Sequence, residues 1–453
     1  MPTCGCRYTL GARRPRRGCA MTSATQHGTI TEAGLAAMRS RIGIPSETRR
    51  YGATRGLFTL INQDSAHIYA IGSGDANPLY TNAAYARASH WGSVVAPPTI
   101  LFNAGIVEGR PITAREREEG RGGGLPGVHG MFSGADWEWY QPLREGDEIF
   151  RVSYLSDAQE KSGVFAGRQV LSLTESLFRN QHGEVLAKEV EWSMRTERDG
   201  ARERQKYDWE QHEYSDEELE RIDEAYANER PRGAEPRYWE DVQVGDALDG
   251  IVRGPYRATD AVAWDIGWGG VFARSGKVDY DYRQRHPRAY SKNRYGIPDI
   301  PERVHWESEF AREVGVPGLY DYGPQRIAWA STLVTNWMGD SGFLKRLWVQ
   351  VRRFNVEADV QWYRGEVIAK QIEDGEAQVI CDVWAENQRG EVTAPGQAIV
   401  LLPSREHGEV SIPARGQPGY PSWDAETKVT PVGQGPLPHH STTHGFLLPG
   451  VQR

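Results

Sequence analysis

The chain has 453 residues, of which 39% are hydrophobic and 25% charged, and it contains 15 Trp, 20 Tyr and 11 Phe. This aromatic content excludes a chain that is disordered throughout, because enough apolar surface is available for a large core. The 61 acidic and 53 basic residues argue against a dedicated nucleic-acid binder, and the lack of an 18-residue apolar run predicts no membrane span. We therefore expect a cytoplasmic protein that contacts neither nucleic acid nor membrane.

The two ends of the chain differ in composition from the rest. Residues 1–34 begin with an Arg-rich stretch that lacks the apolar core of a signal peptide, and they are predicted to be a disordered basic extension. Residues 404–453 are rich in Pro and Gly and are predicted to be a tail. Three of the four cysteines lie in the first twenty residues, which does not fit a disulfide-stapled secreted protein.

An internal duplication organises the body of the chain. Residues 180–187 read NQHGEVLA and residues 387–394 read NQRGEVTA, at an offset of 207. Both segments lie in strand-like alternating stretches, with the shared Gly where a hairpin turn is expected. NAAYAR and ESEFAR match at an offset of 225, from 82–87 to 307–312.

A weaker match pairs 144–147 with 363–366, and the matches keep the same order in both halves. They predict two copies of one domain, at 35–196 and 235–403. A charged linker at 197–234 joins the copies and is expected to contain a helix.

Each copy is predicted to begin with helices and to end with antiparallel strands. The linker helix is expected to start with a capping box between Ser215 and Glu218. In the second copy Gly323-Pro324 open a long helix that ends at Gly339, and in the first copy Pro97-Pro98 open a shorter equivalent. Expected strands are 137–140, 147–156, 163–179 and 185–195, then 348–360, 366–371, 376–387 and 391–402. This order predicts an α+β fold in which each sheet wraps around a helix.

One segment carries a family resemblance. Residues 69–80 read YAIGSGDANPLY, which resembles the signature of the MaoC-like, R-specific enoyl-CoA hydratases, except that Tyr80 replaces a His. In the second copy 303–315 resembles the half of the same pattern around its His, and 320–323 resembles the approach to the family's central helix. The segments 95–99 and 125–130 resemble the family's N-terminal dehydratase-like domain. The resemblance covers about 35–403 and implies tandem hot-dog domains.

The resemblance also implies site residues. In the family an Asp and a His hold a water, and backbone N–H groups at the start of the central helix hold the thioester oxygen. The first copy keeps the Asp, at Asp75, but has Tyr80 for the His. By the duplication the second copy has His305, but Ile300 stands opposite Asp75, so that Asp299 or Glu302 would have to serve as the carboxylate.

The second copy is therefore the better catalytic candidate, with Asp75 and Tyr80 as the alternative. The expected substrate-binding residues are Asn77, His129, Tyr322 and Gly323. Several of these candidate residues also have a structural interpretation. His305 would be a buried side chain beside a helix, Asp75 and Asn77 would cap a turn, and Tyr80 would only pack.

The resemblance implies a hydro-lyase that adds or removes water across the double bond of a 2-enoyl-CoA or a related unsaturated acyl thioester. Coenzyme A would enter only as part of the substrate, with no metal or other cofactor. The alternatives are a hot-dog thioesterase and a non-catalytic or partner-dependent acyl-CoA-binding subunit. We expect a homodimer or a hetero-oligomer. An insertion at 268–300, rich in Tyr, Arg and Lys, is either a lid or coenzyme A contact, or a surface excursion or dimer contact.

Overall fold

In the computed structural model the described residues are 28–46, 58–109, 113, 115, 125–163, 167–197, 212–269 and 273–413. Most of the predicted extension and tail lies outside these residues. Helix α1 (Glu32–Arg39) begins before the expected boundary at residue 35, and its Leu35 and Met38 pack in a small apolar cluster with Val170. The first residues of the tail also pack on the body, since Val410 and Ile412 contact the main core.

Ten of the twelve described strands form one sheet to which both halves contribute. The strands are β1 (Ile106–Glu108), β2 (His129–Trp139), β3 (Phe150–Gly163), β4 (Gly167–Arg179), β5 (Val185–Thr196), β6 (Ile251–Arg253), β7 (Ser291–Lys292), β8 (Pro298–Asp299), β9 (Phe343–Gln350), β10 (Gln361–Glu373), β11 (Glu376–Asn387) and β12 (Val392–Leu401). The order is β1-β3-β4-β5-β2-β9-β12-β11-β10-β6, and β7 pairs separately with β8. The halves join where β2 pairs antiparallel with β9, with Ala135 opposite Val349.

The remaining helices are α2 (Gln63–Ser73), α3 (Pro78–Thr81), α4 (Ala83–Ala88), α5 (Asp216–Asn228), α6 (Ala258–Gly267), α7 (Gly276–Arg285), α8 (Ser308–Glu313) and α9 (Gly323–Met338). Helix α9 packs against strands of both halves of the ten-stranded sheet. Short 3-10 helices span Pro98–Asn103, Trp239–Asp241, Pro287–Ala289 and Pro301–His305. Within the part of the chain that the structure describes, no helix is long and apolar enough to cross a membrane.

Two hairpin turns have the same hydrogen-bond pattern in both halves, as the predicted duplication requires. Asn180 lies between β4 and β5, and its Oδ1 accepts hydrogen bonds from the backbone N–H groups of His182 and Glu184. Asn387 occupies the same place between β11 and β12, and its Oδ1 accepts from the equivalent N–H groups, those of Arg389 and Glu391. The same side chain therefore closes the same turn in both halves.

The weaker match of 144–147 with 363–366 is wrong, because 363–366 lie inside strand β10. The true counterpart of 144–147 is 356–359. In the first turn Asp147 Oδ2 accepts from the Arg144 N–H at 2.8 Å, and in the second Asp359 Oδ2 accepts from the Val356 N–H at 3.2 Å. The offset at this turn is set by the structure, because the two sequences share little beyond the Asp.

The predicted long helix is confirmed as α9, whose residues from Pro324 onward are all buried. The shorter α-helix expected in the first copy is replaced by the 3-10 helix Pro98–Asn103. It ends because Gly105, at φ 100°, turns the chain into β1, which pairs with β3. Among the described residues, one long α-helix is therefore enclosed by the sheet.

The linker helix is confirmed as α5, with the capping box between Ser215 and Glu218. Its Ile222 is buried with Val252 and Val360, so the helix packs on the second half. The strands expected in each copy are present, but β9 lies earlier than 348–360, because the chain after Gln350 forms the turn that Asp359 closes.

Helices α2 and α6 are counterparts that pack against each other. A Cβ on Gly72 would lie 2.5 Å from the Gly267 Cα, so the two helices cross at their glycines. Tyr69 and Trp264, at the same offset from one helix to the other, have ring centroids 5.7 Å apart. The insertion follows α6 and contains α7 and the β7–β8 hairpin.

The duplicated turn allows a matched test of backbone strain. Gly146 has φ 96° and its counterpart Ala358 has φ 69°, a conformation that L residues with a side chain rarely adopt. A Cβ at Gly146 would meet no atom within 4 Å, so strain alone should act. We expect Gly146→Ala to lower stability and Ala358→Gly to raise it, each by about 1 kcal/mol. Calorimetric melting of both variants checks this, and a Tm lowered equally by both would contradict it.

Candidate functional site

His305 lies at the end of the 3-10 helix Pro301–His305 and is 9% exposed. Its Nδ1 is 2.6 Å from the Tyr320 carbonyl oxygen, which can only accept, so Nδ1 carries the hydrogen. The other nitrogen, Nε2, faces a Glu302 carboxyl oxygen at 3.9 Å. The imidazole stacks on the Tyr322 ring with centroids 3.8 Å apart, which fixes its plane.

Glu302 is the carboxylate that the structure brings to His305. Its side chain is 18% exposed, and burial, together with the negative charge of Asp265, raises the pKa of Glu302 to about 8. At neutral pH the group is therefore largely a carboxylic acid, which can donate a proton.

Asp299, the other carboxylate left open by the sequence, lies in β8 and acts as a turn residue. Its oxygens accept hydrogen bonds from Asn293 Nδ2 at 3.1 Å and from the Ile300 N–H at 2.8 Å. These contacts hold the β7–β8 hairpin, and none of them reaches His305.

Asp265 on α6 was missed by the sequence analysis. Its Oδ1 is buried and has no hydrogen-bond partner among the described residues, and burial raises the pKa of its carboxyl group. The Tyr322 hydroxyl is also buried and unpartnered within the described ranges. Asp265 acts electrostatically on both Glu302 and Tyr322, so these groups form one polar cluster beside His305.

The packing of α2 against α6 explains why the sequence analysis did not identify Asp265. Gly72 and Gly267 are counterparts at an offset of 195, which places Gly270, a position outside the described residues, opposite Asp75. After the insertion the offset is 225, which aligns Asp75 with Ile300, so the two registers differ by 30 residues. The signal that could have found Asp265 is a carboxylate on the helix that leads into the motif, one turn before the motif position.

The segment that connects His305 to α9 is held by a buried ion pair. Asp321 accepts two hydrogen bonds from the Arg326 guanidinium, at 2.7 and 3.0 Å, and another from Asn355 Nδ2 at 2.8 Å. This network fixes the chain between Tyr320 and the first turn of α9, which carries the contacts of His305.

Gly323 opens α9 beside this cluster. A Cβ there would lie 2.2 Å from Phe132 Cδ1 in β2, so the first half of the chain covers the helix start and requires a glycine. Helix α9 has no side-chain cap at Tyr322. His129, the remaining predicted binding residue, begins β2, but its side chain lies outside the described residues.

Asp75 is engaged in structural contacts. Its Oδ1 accepts from the Asn77 N–H at 2.9 Å and its Oδ2 from Thr332 Oγ1 of α9 at 3.0 Å. Burial raises the pKa of Asp75, and these two hydrogen bonds lower it. The side chain of Asn77 in turn accepts from the Leu79 N–H at 3.0 Å and caps α3.

Tyr80 is buried near Thr335, and burial raises the pKa of its phenol. It lines an apolar cavity between the halves together with Trp91, Met338 and Phe343. This cavity lies at the C-terminal end of α9, and Tyr322 lies at the other end, about 22 Å along the helix. The structure therefore separates the residues of the two copies, and Tyr80 and Asp75 do not join His305.

Metal chemistry has no candidate ligand set in the described ranges, since no group of three His, Cys, Asp or Glu side chains there could hold an ion. Cys4, Cys6, Cys19, His439, His440 and His444 lie outside those ranges.

Comparisons with known proteins agree with this architecture. Residues 52–189 match the family described as the FAS1-like dehydratase domain region. A solved MaoC-like dehydratase is 17% identical, with a TM-score of 0.53, and the alignment covers 80% of this chain and 99% of that one. A MaoC-like dehydratase from Phytophthora capsici is 13% identical, with a TM-score of 0.41 and coverages of 76% and 94%.

A conserved hypothetical protein from Mycobacterium tuberculosis with a double hot-dog fold is 10% identical, with a TM-score of 0.44 and coverages of 80% and 98%. No curated protein sequence matches the chain. The fold is therefore similar to that of the solved MaoC-like dehydratase, a mixed α/β fold built on a large antiparallel sheet. The resemblance of the sequence to the MaoC-like hot-dog family is confirmed, and residues 52–189 of the first copy are similar to a dehydratase domain region.

The raised pKa of Glu302 predicts a pH-dependent stability. Between its ordinary value of 4.5 and about 8, the folded chain keeps a proton that the unfolded chain has released. The contribution of Glu302 to the free energy of unfolding is therefore full below pH 4.5 and is lost as pH rises through 8. Between pH 5 and 8 the Tm of Glu302→Gln should fall by less than the Tm of wild type. The two decreases should differ by roughly 2 °C or more. Exposed Glu309→Gln is the control, and identical slopes for wild type and Glu302→Gln would contradict the assignment.

The contact of Asp75 with α9 predicts a stability effect without an effect on the His305 site. Thr332→Val removes a donor from a buried carboxyl group and should cost about 1–3 kcal/mol. Thr332→Ser keeps the hydroxyl and should be more stable than the Val variant. Urea unfolding followed by Trp fluorescence compares the two variants. Equal midpoints would show that the hydrogen bond does not contribute to the free energy of unfolding.

Proposed function

We propose that the chain is a hydro-lyase that reversibly adds or removes water across the double bond of a 2-enoyl-CoA or a related unsaturated acyl thioester. The observation that carries this proposal is the polar cluster of His305, Glu302, Asp265 and Tyr322 at the start of α9. A buried cluster with unpartnered polar atoms costs stability unless a ligand or water engages it. The dehydratase family of the first copy and the MaoC-like fold support this choice of reaction.

In the hydration direction His305 Nε2 takes a proton from water as the water oxygen bonds to the β-carbon. Glu302, protonated at neutral pH, gives its proton to the α-carbon as the double bond is lost. The imidazolium of His305 then returns a proton to the Glu302 carboxylate across the 3.9 Å gap, which restores both groups. Dehydration follows the same steps in reverse.

The thioester oxygen gains negative charge during both directions of this reaction. We assign its stabilisation to the start of α9, where the helix dipole is positive and no side chain caps the helix. Pro324 has no N–H, so the Gly323 N–H is the nearest backbone donor at this end. The Tyr322 hydroxyl, unpartnered among the described residues, is a second donor for the substrate.

Asp265 supports the proton transfer from a distance. Its charge raises the pKa of Glu302, which keeps the acid protonated before the reaction. We therefore assign Asp265 as a positioning residue that sets protonation states.

The two alternatives receive less support. A thioesterase of this fold would need a carboxylate on the central helix, and α9 contains no Asp or Glu. A non-catalytic subunit remains an outcome of the experiment below, because neither copy keeps both the Asp and the His of the signature. Assembly as a homodimer or a hetero-oligomer stays a prediction.

The test compares purified wild type with His305→Ala on a panel of 2-enoyl-CoA and 3-hydroxyacyl-CoA thioesters. Mass spectrometry scores the gain or loss of water. Loss of a general acid–base group should reduce kcat by about 100-fold or more. His407→Ala, at an exposed position far along the chain, is the matched control and should keep full activity.

The outcomes separate the alternatives. Equal turnover by wild type and His305→Ala would exclude His305 and return attention to Asp75 and Tyr80. Release of free coenzyme A without hydration would favour the thioesterase. Thioester binding without turnover in the purified chain, followed by turnover when a second protein is added, would favour the partner-dependent subunit.

A further inference from the structure

The insertion of the second copy has a charge opposite to that of the whole chain. Residues 273–300 contain seven Lys or Arg and three Asp, whereas the chain has a net charge of −8. Lys277, Lys292 and Arg294 are exposed in the structure, where Lys277 forms an ion pair with Asp281 and Arg294 lies 4.0 Å from a Glu309 oxygen. A local basic surface attracts anions even when the protein as a whole carries a net negative charge.

Aromatic rings stand among these basic side chains. Tyr280 is 45% exposed, and its ring centroid lies 5.4 Å from Lys277 Nζ and 5.9 Å from Arg283 Cζ. The Nε of Arg283 is buried and has no hydrogen-bond partner within the described ranges. A ring flanked by cations suits a ligand that combines a planar base with phosphates, because the base stacks and the phosphates pair with Lys and Arg.

The insertion is fixed to the turn that carries the proposed catalytic residues. The Arg303 side chain is 1% exposed, and its guanidinium donates to the carbonyl oxygens of Ser291 and Lys292, both at 3.2 Å. The same guanidinium lies 3.7 Å from the Phe310 ring centroid. Because Arg303 belongs to the 3-10 helix Pro301–His305, the β7–β8 hairpin is held next to the His305 turn.

We infer that the basic face of the insertion binds the adenosine 3′,5′-bisphosphate end of a coenzyme A thioester, while the acyl end enters the His305 site. This inference rests on the proposed function for the identity of the substrate. The phosphates contact Lys277 and Lys292, and the adenine stacks on Tyr280. The exposed Tyr280 ring, flanked by Lys277 and Arg283, favours a nucleotide over an acidic carrier protein, whose surface offers carboxylates without a planar base.

Binding is measured directly, without turnover, by titrating adenosine 3′,5′-bisphosphate into the full chain in a calorimeter. We expect Lys277→Gln/Lys292→Gln to weaken binding about tenfold or more and to reduce its dependence on salt, and Tyr280→Ala to weaken binding at every salt concentration. Arg230→Gln/Arg364→Gln removes two exposed charges elsewhere and should bind like wild type.

Steady-state kinetics then test separately how the chain uses the nucleotide end and the acyl end of the substrate. For an acyl-CoA substrate the double variant should raise KM about tenfold and leave kcat unchanged, since the reacting atoms are not touched. For the N-acetylcysteamine thioester of the same acyl group, which has no phosphate or adenine, wild type and variant should behave alike.

The possible results distinguish the nucleotide-binding inference from the proposed hydro-lyase function. Binding of adenosine 3′,5′-bisphosphate that is absent, or unchanged in both insertion variants, overturns the inference whatever the turnover. Binding that the variants lose, in a chain that turns over no thioester, supports the nucleotide site and contradicts the proposed function. Weaker binding of an acidic acyl carrier protein by the double variant, with nucleotide binding unchanged, overturns the inference in favour of a protein partner.

Discussion

The burial of α9 inside a sheet built by both halves is the constraint on which the rest of the structure depends. Every residue from Pro324 to Met338 is buried, and the helix contacts β2 of the first half as well as β9–β12 of the second. Each large apolar side chain removed from water contributes about 1.5–3 kcal/mol, so this helix is held along its whole length. It therefore fixes Tyr322 at one end, the partner of Asp75 in the middle and the Tyr80 cavity at the other end.

The two copies keep the same turns but have divided the polar residues of the family signature between them. Asp75 remains in the first copy, where Thr332 and Asn77 supply its hydrogen bonds and it serves packing. His305 lies in the second copy, where Glu302 and Asp265 come from other positions. A buried carboxyl group without donors takes up a proton, and this turns Glu302 into an acid at neutral pH.

Charge divides the second copy into two regions. The interior cluster is acidic and carries His305, whereas the inserted segment is basic and exposed. Arg303 joins them, because its buried guanidinium binds the hairpin while its neighbour Glu302 contacts His305. A substrate with an anionic end and a reactive acyl end would match both regions at once.

The elements that could be predicted from the amino-acid sequence are those whose signals are local. The hairpins at Asn180 and Asn387, the capping box at Ser215 and the long helix after Gly323 were all predictable, because turn chemistry, capping and apolar periodicity act over a few residues. His305 and Glu302 were named from the motif. Three features became visible only in the folded chain: Asp265 joins these two residues, Asp299 holds a hairpin, and Pro98–Asn103 forms a 3-10 helix. Those outcomes depend on an inserted segment and on contacts between distant parts of the chain, which no local pattern records.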